Sequence, residues 1–158
     1  MSNSRELSEL ASKVNVSSNA VGIDITPSTW GTTYSALQIS RSSIFTTTSG
    51  LETNIATNAY YNNTGYKYIA NGTASQYSQL TDGSHRWSSA TTGTAGGGIT
   101  FVDRMTLSAS GNVGIGAAPN AWAPSNKALQ IVGATSSQSV SVTNDGGFFL
   151  NGYYDGLS

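Results

Sequence analysis

Cysteine is absent from this sequence, and charge is nearly so. Asp, Glu, Lys and Arg make up 9% of the 158 residues, against roughly 25% in an ordinary soluble domain. Without cysteine there is no disulfide and no thiolate metal site. With so little charge, the chain does not fit the disordered class, which is polar and strongly charged. The net charge of −1 comes from eight acidic and seven basic residues. It provides no basic field for nucleic acid and no polybasic patch for an anionic membrane. No apolar run approaches the ~20 residues that cross a bilayer. The opening Met1-Ser-Asn-Ser-Arg-Glu-Leu-Ser-Glu-Leu10 has no apolar core of a signal peptide. These absences predict a protein made in a cytosol, with no nucleic-acid and no membrane partner.

Ser, Thr, Asn and 18 Gly fill the place of the missing charge, and the apolar fraction is 37%. That is modest for a chain that must bury its own core. Small chains without disulfides gain stability by oligomerising, and that is the expected device here.

The first segment reads as a helix over residues 4–14. Asn3, with Glu6 three residues later, fits a capping box. Leu7, Leu10, Ala11 and Val14 recur on one helical face, and Arg5, Glu6, Glu9 and Lys13 lie largely off it. A helix of this length is not stable alone in water. Its stripe must pack on sister helices, on another protein, or back on its own β domain. Leu7, Leu10, Ala11 and Val14 are the candidate anchor and oligomer contacts.

From Val14-Asn-Val-Ser17 onward the pattern is one of strands. Candidate strands are 21–25, 36–40, 53–61, 65–70, 76–80, 84–89, 98–107, 113–116, 127–132 and 147–150. Turn signals fall at Asn62-Asn-Thr-Gly65, Asn71-Gly72, Asp82-Gly83 and Ser110-Gly-Asn112. Asn-Gly and Asp-Gly favour type I′ turns. Residues 58–89 therefore predict an antiparallel meander of four strands. The expected fold class is mainly β: a short N-terminal helix followed by antiparallel β modules.

An internal repeat organises the chain. Val21-Gly-Ile-Asp-Ile-Thr-Pro-Ser-Thr-Trp30 matches Val113-Gly-Ile-Gly-Ala-Ala-Pro-Asn-Ala-Trp122 at an offset of 92. Ala36-Leu-Gln-Ile39 matches Ala128-Leu-Gln-Ile131 at the same offset, and Tyr60-Tyr61 matches Tyr153-Tyr154 at 93. Residues 1–20 are then a helix and anchor, 21–112 a first β module, and 113–158 the start of a second, incomplete one. The period is too long for the familiar solenoids and fits a tandem module on a rod. The chain is expected to be part of a longer polypeptide. In Val113-Gly-Ile-Gly116 the period-two pattern puts Val113 and Ile115 on one face, with glycines opposite. Val21 and Ile23 are their counterparts. These four residues are candidates for the axial core of an oligomer, or for an ordinary core within one chain.

No residue pattern calls for catalysis. Gly93-Thr-Ala-Gly-Gly-Gly98 lacks the Gly-Lys-Ser/Thr ending of a phosphate loop, and no helix follows. It predicts a flexible turn into a strand at Ile99. His85 is the single histidine and has no partner set for a metal or a triad. It reads as a strand residue. Asp82, Asp103, Asp145 and Asp155 are scattered, and Asp103 is expected to pair with Arg104 or a neighbouring subunit. Tyr60, Tyr61, Tyr66, Tyr68, Tyr77 and Trp87 crowd into the expected meander. Such rings hold small sheets together, and they also stack on sugars. Tyr66, Tyr68 and Trp87 are the candidate glycan contacts. Trp30 and Trp122, at equivalent positions, read as structural. The sequons at Asn15, Asn62 and Asn71 have no meaning without a secretory route. No catalytic, metal or cofactor site is expected, and no enzyme.

Several stretches resemble a module of phage tail-fibre and appendage proteins. They are Asn58-Ala-Tyr-Tyr-Asn62, Tyr66-Lys-Tyr-Ile-Ala-Asn-Gly-Thr-Ala-Ser75, His85-Arg-Trp87, Gly93-Thr-Ala-Gly96, Ile99-Thr-Phe101 and Met105-Thr-Leu-Ser-Ala-Ser-Gly-Asn-Val-Gly-Ile-Gly116. The opening Asn3-Ser-Arg-Glu-Leu-Ser-Glu-Leu-Ala-Ser-Lys-Val14 is similar to the start of such proteins in cyanophages and related podoviruses. The resemblance implies a homotrimeric, virion-proximal fibre segment. Its N-terminus would dock on a tail adaptor, nozzle or portal-side protein. A host surface receptor would be reached only through a distal region not present in these residues. The alternatives are a carbohydrate-binding appendage module and a capsid-attached fibre.

Overall fold

A computed structural model describes residues 2–48, 50–121, 127–132 and 137–141. Trp122, Asp145, Asp155, the Tyr153-Tyr154 pair and the expected strand 147–150 lie outside the described residues. The fold is mainly β, with one short helix among the described residues, α1 (Ser2–Lys13). Asn3 sits inside the first turn of α1 rather than capping it, a shift of the size by which helix ends commonly vary.

The strands form one long ribbon in chain order. It begins with β1 (Val14–Val16), β2 (Ala20–Ile23), β3 (Tyr34–Ile39), β4 (Ser42–Thr47) and β5 (Thr53–Thr57). The chain then leaves the sheet as a separate hairpin of β6 (Ala59–Asn62) and β7 (Gly65–Tyr68). It returns as β8 (Gly72–Gln79), which pairs with β5. The ribbon continues through β9 (His85–Gly93), β10 (Val102–Leu107), β11 (Val113–Ile115), β12 (Ala128–Val132) and β13 (Ser137–Ser141). Among the described residues eleven strands make one sheet, and pairing runs unbroken through residues 112–113.

The expected four-stranded meander over 58–89 is therefore not formed. Asn58 is the reason. It adopts φ 59° and splits the expected strand 53–61 into β5 and β6. Its buried carboxamide closes the base of the excursion: Nδ2 donates to the carbonyls of Ala70 (3.0 Å) and Thr73 (2.9 Å), and Oδ1 accepts from the Ala70 N–H (2.8 Å). The side chain replaces the ladder partner that this stretch of backbone loses on leaving the sheet. Gly72, at φ 138°, re-enters the sheet instead of closing a hairpin with Asn71. At Asp82-Gly83 only the glycine has positive φ, and the Leu80 N–H donates to the Ser84 carbonyl at 2.9 Å. That is a three-residue turn with a left-handed glycine, not type I′. Gly111 ends an identical turn, with Ser108 N–H donating to Asn112 O at 2.8 Å.

One face of the sheet is covered. Its strands present Ala20, Ala56, Ala74 and Ala90 together with Phe45, all buried. Large side chains come from the covering layer: Trp30, Tyr60, Tyr61, Tyr66, Tyr68, Ile99 and Phe101. Small residues on the floor let the aromatic layer settle close. Trp30 lies 4.9 Å from Phe45, Tyr61 5.1 Å from Tyr66, and Tyr66 5.3 Å from Phe101 between ring centroids. Tyr68 donates its hydroxyl to Thr91 O at 2.5 Å, and a methyl group on Gly93 would overlap its ring. The glycine-rich stretch is not a free turn. Gly96 N–H donates to Tyr68 O (2.8 Å), and Ile99 N–H to Tyr66 O (2.9 Å), which adds an edge to β7. The strand expected from residue 98 begins at Val102.

β2 and β3 run parallel, joined by residues 24–33 crossing the covered face. The repeated words explain this crossover. A side chain at Gly22 would overlap the Ile25 carbonyl and meet Pro27 Cδ at 2.9 Å, so the arch passes only over glycine. Gln38, fully buried, accepts the Ser28 N–H (2.9 Å) and Trp30 Nε1 (3.3 Å) at Oε1, and donates to Ser40 O (3.0 Å). The second copy repeats the device. β11 and β12 are also parallel, with Val113, Gly114 and Ile115 opposite Leu129, Gln130 and Ile131. Gly114 underlies Pro119, and Gln130 Oε1 accepts Asn120 N–H at 2.9 Å.

Two outcomes follow from this packing. Gln38→Leu preserves volume but leaves the Ser28 and Trp30 N–H donors without their acceptor under the arch. The cost should be about 2–4 kcal/mol, read from denaturant unfolding at fixed protein concentration. The second concerns pH. Burial, then the neighbouring Tyr66, Tyr61 and Glu52, push the Tyr34 hydroxyl up to about 12, and burial raises Tyr66 as well. Unfolded tyrosine titrates near 10. Between those values the unfolded chain has lost protons that the folded chain keeps, so stability falls as pH rises through that window. The melting temperature should be flat from neutral pH to about 10 and drop above it, and Tyr34→Phe should lessen the drop.

Candidate functional site

Side chains alternate across a strand, so the face opposite the aromatic layer carries the other half of every strand. Tracing the register across that face finds one apolar residue on each of ten consecutive strands. Val16 stands opposite Val21, Val21 opposite Leu37, Leu37 opposite Ile44, and Ile44 opposite Ile55. Ile55 pairs with Tyr77, Tyr77 with Trp87, and Trp87 with Met105. Met105 pairs with Ile115 and Ile115 with Ile131. At roughly 4.8 Å between strands, this row is about 45 Å long.

Among the described residues, none covers the row. Ile55 at mid-ribbon is 49% exposed, Ile44 47% and Trp87 38%. In the middle it is one residue wide. Ser42, Thr57, Ser75 and Ser89 flank it on one side, and Thr53, Gln79 and His85 on the other. Tyr77 and His85 are joined there by a 2.6 Å hydrogen bond between the hydroxyl and Nδ1. Toward β1 the row widens with Val14, Ile23 and Ile39; toward β12 it widens with Leu107, Val113 and Leu129. Val16 at one end is 74% exposed and Ile131 at the other 38%, so a connected apolar band stays open along the row. Single chains rarely leave a connected apolar patch of that size to water.

The four candidate axial residues share this face: Val21 and Ile115 in the row itself, Ile23 and Val113 beside it. Leu10, Ala11 and Val14 are exposed, Leu10 at 61%. Leu7 belongs to α1, but its side chain lies outside the described residues. α1 leads directly into β1, and Lys13 Nζ reaches Asp24 Oδ1 at 3.4 Å. The three candidate glycan aromatics do not form one platform. Trp87 stands in the row, Tyr66 is in the covering layer on the opposite side, and Tyr68 is buried with its hydroxyl already used. His85 is a strand residue, as its neighbours in sequence imply. Asp103 pairs with Arg86 (3.7 Å) and Ser88 Oγ (2.7 Å), while a bulge turns Arg104 to Ser89 on the other face.

Among the described residues, no group of three His, Cys, Asp or Glu is placed to hold a metal ion, and no helix is long and apolar enough to cross a membrane. Compared with known protein families, curated proteins and solved structures, the chain matches none.

Sequence reasoning missed Val16, Leu37, Ile44, Ile55, Tyr77, Met105 and Ile131 as members of one surface. The signal was present but masked. In Ser42-Ser-Ile-Phe-Thr-Thr47, Ile44 and Phe45 are adjacent and face opposite ways, so the alternation that marks a half-buried strand is missing.

Proposed function

We propose that this chain is a virion structural protein, the proximal part of a homotrimeric phage tail fibre made in the host cytoplasm. The uncovered apolar row carries this reading. A face of this length and area needs a partner of equal length, and another copy of the same ribbon offers it. The narrowness favours three copies over two. A pair of sheets packed face to face buries a broad apolar surface, whereas a single line of residues edged by Ser and Thr suits three sheets converging on an axis. The sequence resemblance to tail-fibre modules supports the same choice.

In this reading α1 extends the axis at the virion end. Leu7, Leu10, Ala11 and Val14 then meet sister helices or a tail adaptor, nozzle or portal-side protein. The role is mechanical: the ribbon holds a distal host-binding region away from the virion and carries load back to it.

The full chain should sediment at three times 16.3 kDa at micromolar concentration. A stable monomer that unfolds cooperatively would overturn the proposal. Ile55→Asp places one carboxylate per copy on the axis and should dissociate the trimer by at least about tenfold in affinity. Ser75→Asp, on the flanking row, should have a much smaller effect. A trimer indifferent to Ile55→Asp would refute the choice of face.

A further inference from the structure

Three ribbons that turn their rows toward one axis must also close against each other along their borders. A rotation about an axis lying along the row keeps every strand at its own height. It never brings a border against itself, so each seam joins one border of a copy to the opposite border of the next. β3 of one copy therefore meets β3 of its neighbour, the end of one strand facing the start of the other.

The two borders differ where β1, β2 and β3 lie. One carries Val14, Ile23 and Ile39, all exposed. The other is formed by the β1–β2 turn and the start of β3, and a shallow recess of about 520 Å³ opens there. Val16, Val21 and Leu37 line it on the side of the row, and Ser17, Ser18 and Ser35 on the side of the border. Asn19 holds the turn in place, its Nδ2 donating to Gly31 O at 2.6 Å and to Tyr34 O at 2.9 Å. Branched side chains thus stand on one border and an apolar recess on the other, at the same strands.

The repeat builds this pair of borders a second time. Leu107, Val113 and Leu129 take the places of Val16, Val21 and Leu37. Met105, Ile115 and Ile131 take those of Val14, Ile23 and Ile39. The two sets are not in line. Register traced from Val21 across the sheet arrives at Ile115, whereas the repeat matches Val21 to Val113. Between β2 and β11 the equivalent surface has moved two residues along the strands, roughly 7 Å.

We propose, resting on the trimer reading above, that Ile23 and Ile39 of one copy enter the recess of the next, and that Ile115 and Ile131 repeat the contact one module on. Each copy gives isoleucines at one border and receives them at the other, a head-to-tail contact that generates a ring. Because the contact surface shifts across the ribbon from one repeat to the next, ribbons that keep both contacts wrap around the axis instead of running straight along it.

The absence of cysteine gives the test a clean background. Ser35 and Ile39 are four residues apart on β3, roughly 13 Å in an extended strand. That is too far for a disulfide within one chain. Lys127 and Ile131 have the same spacing at β12. The full chain carrying Ser35→Cys with Ile39→Cys is oxidised with glutathione disulfide and run on a denaturing, non-reducing gel. Most of it should migrate as a covalent trimer, and Lys127→Cys with Ile131→Cys should do the same. Each single variant should stay unlinked. Sedimentation of the parent chain and of the same samples separates the ways of failing. A three-copy species in which neither double variant links would overturn the seam and leave the fibre reading standing. So would a single variant that links as well as its double, since the same residue would then face itself. A monomer, or covalent dimers in place of trimers, would overturn the trimer and the seam together.

Discussion

A strand has two faces, and apolar side chains on either face must be taken out of water. In an antiparallel sheet with one solvated side, alternation meets that demand: apolar inward, polar outward. This ribbon does not alternate in that way. Its covered face uses alanines with Phe45 and Tyr34 under an aromatic layer, and its other face carries a branched or aromatic residue on strand after strand. The chain supplies cover for the first face from its own β6–β7 hairpin and crossovers. Among the described residues, none covers the second. Everything inferred about association follows from that inequality.

The covering layer depends on a few polar side chains that act as backbone. Asn58 lets the hairpin leave the sheet without orphaning Ala70 or Thr73. Gln38 lets two parallel strands be joined by a short arch instead of the helix that such a connection usually needs. Both residues are buried, and both are neutral. A chain with little charge can bury amides where it cannot bury ions, because an amide paired on both sides loses little on leaving water. The scarcity of charge and the abundance of Asn, Gln, Ser and Thr are thus parts of one solution.

Much of the fold was legible in the sequence. The 3.6 period gave α1, and the repeat located β2, β3, β11 and β12 with their glycines, although it did not disclose that these pairs run parallel. Other features were hidden for physical reasons. β4 has apolar residues on both faces, which erases its period. Alanine is a poor indicator of strand, so the floor of the core was invisible. The break at Asn58 depends on bonds to residues more than ten positions away. Four residues of the outer face were found because the repeat singled them out; the rest required register.

The repeat also sets a gear ratio. From β2 to β11 the chain spends 92 residues and advances seven strands across the sheet, roughly 34 Å. The same residues fully extended would reach about 300 Å. Because the strands lie across the long direction, tension between the first and last strands acts along the ladder hydrogen bonds and opens them one pair at a time, like a zip. A lone ribbon would therefore yield to modest pulling. Gripping the central row from the side is what would turn such a ribbon into a cable.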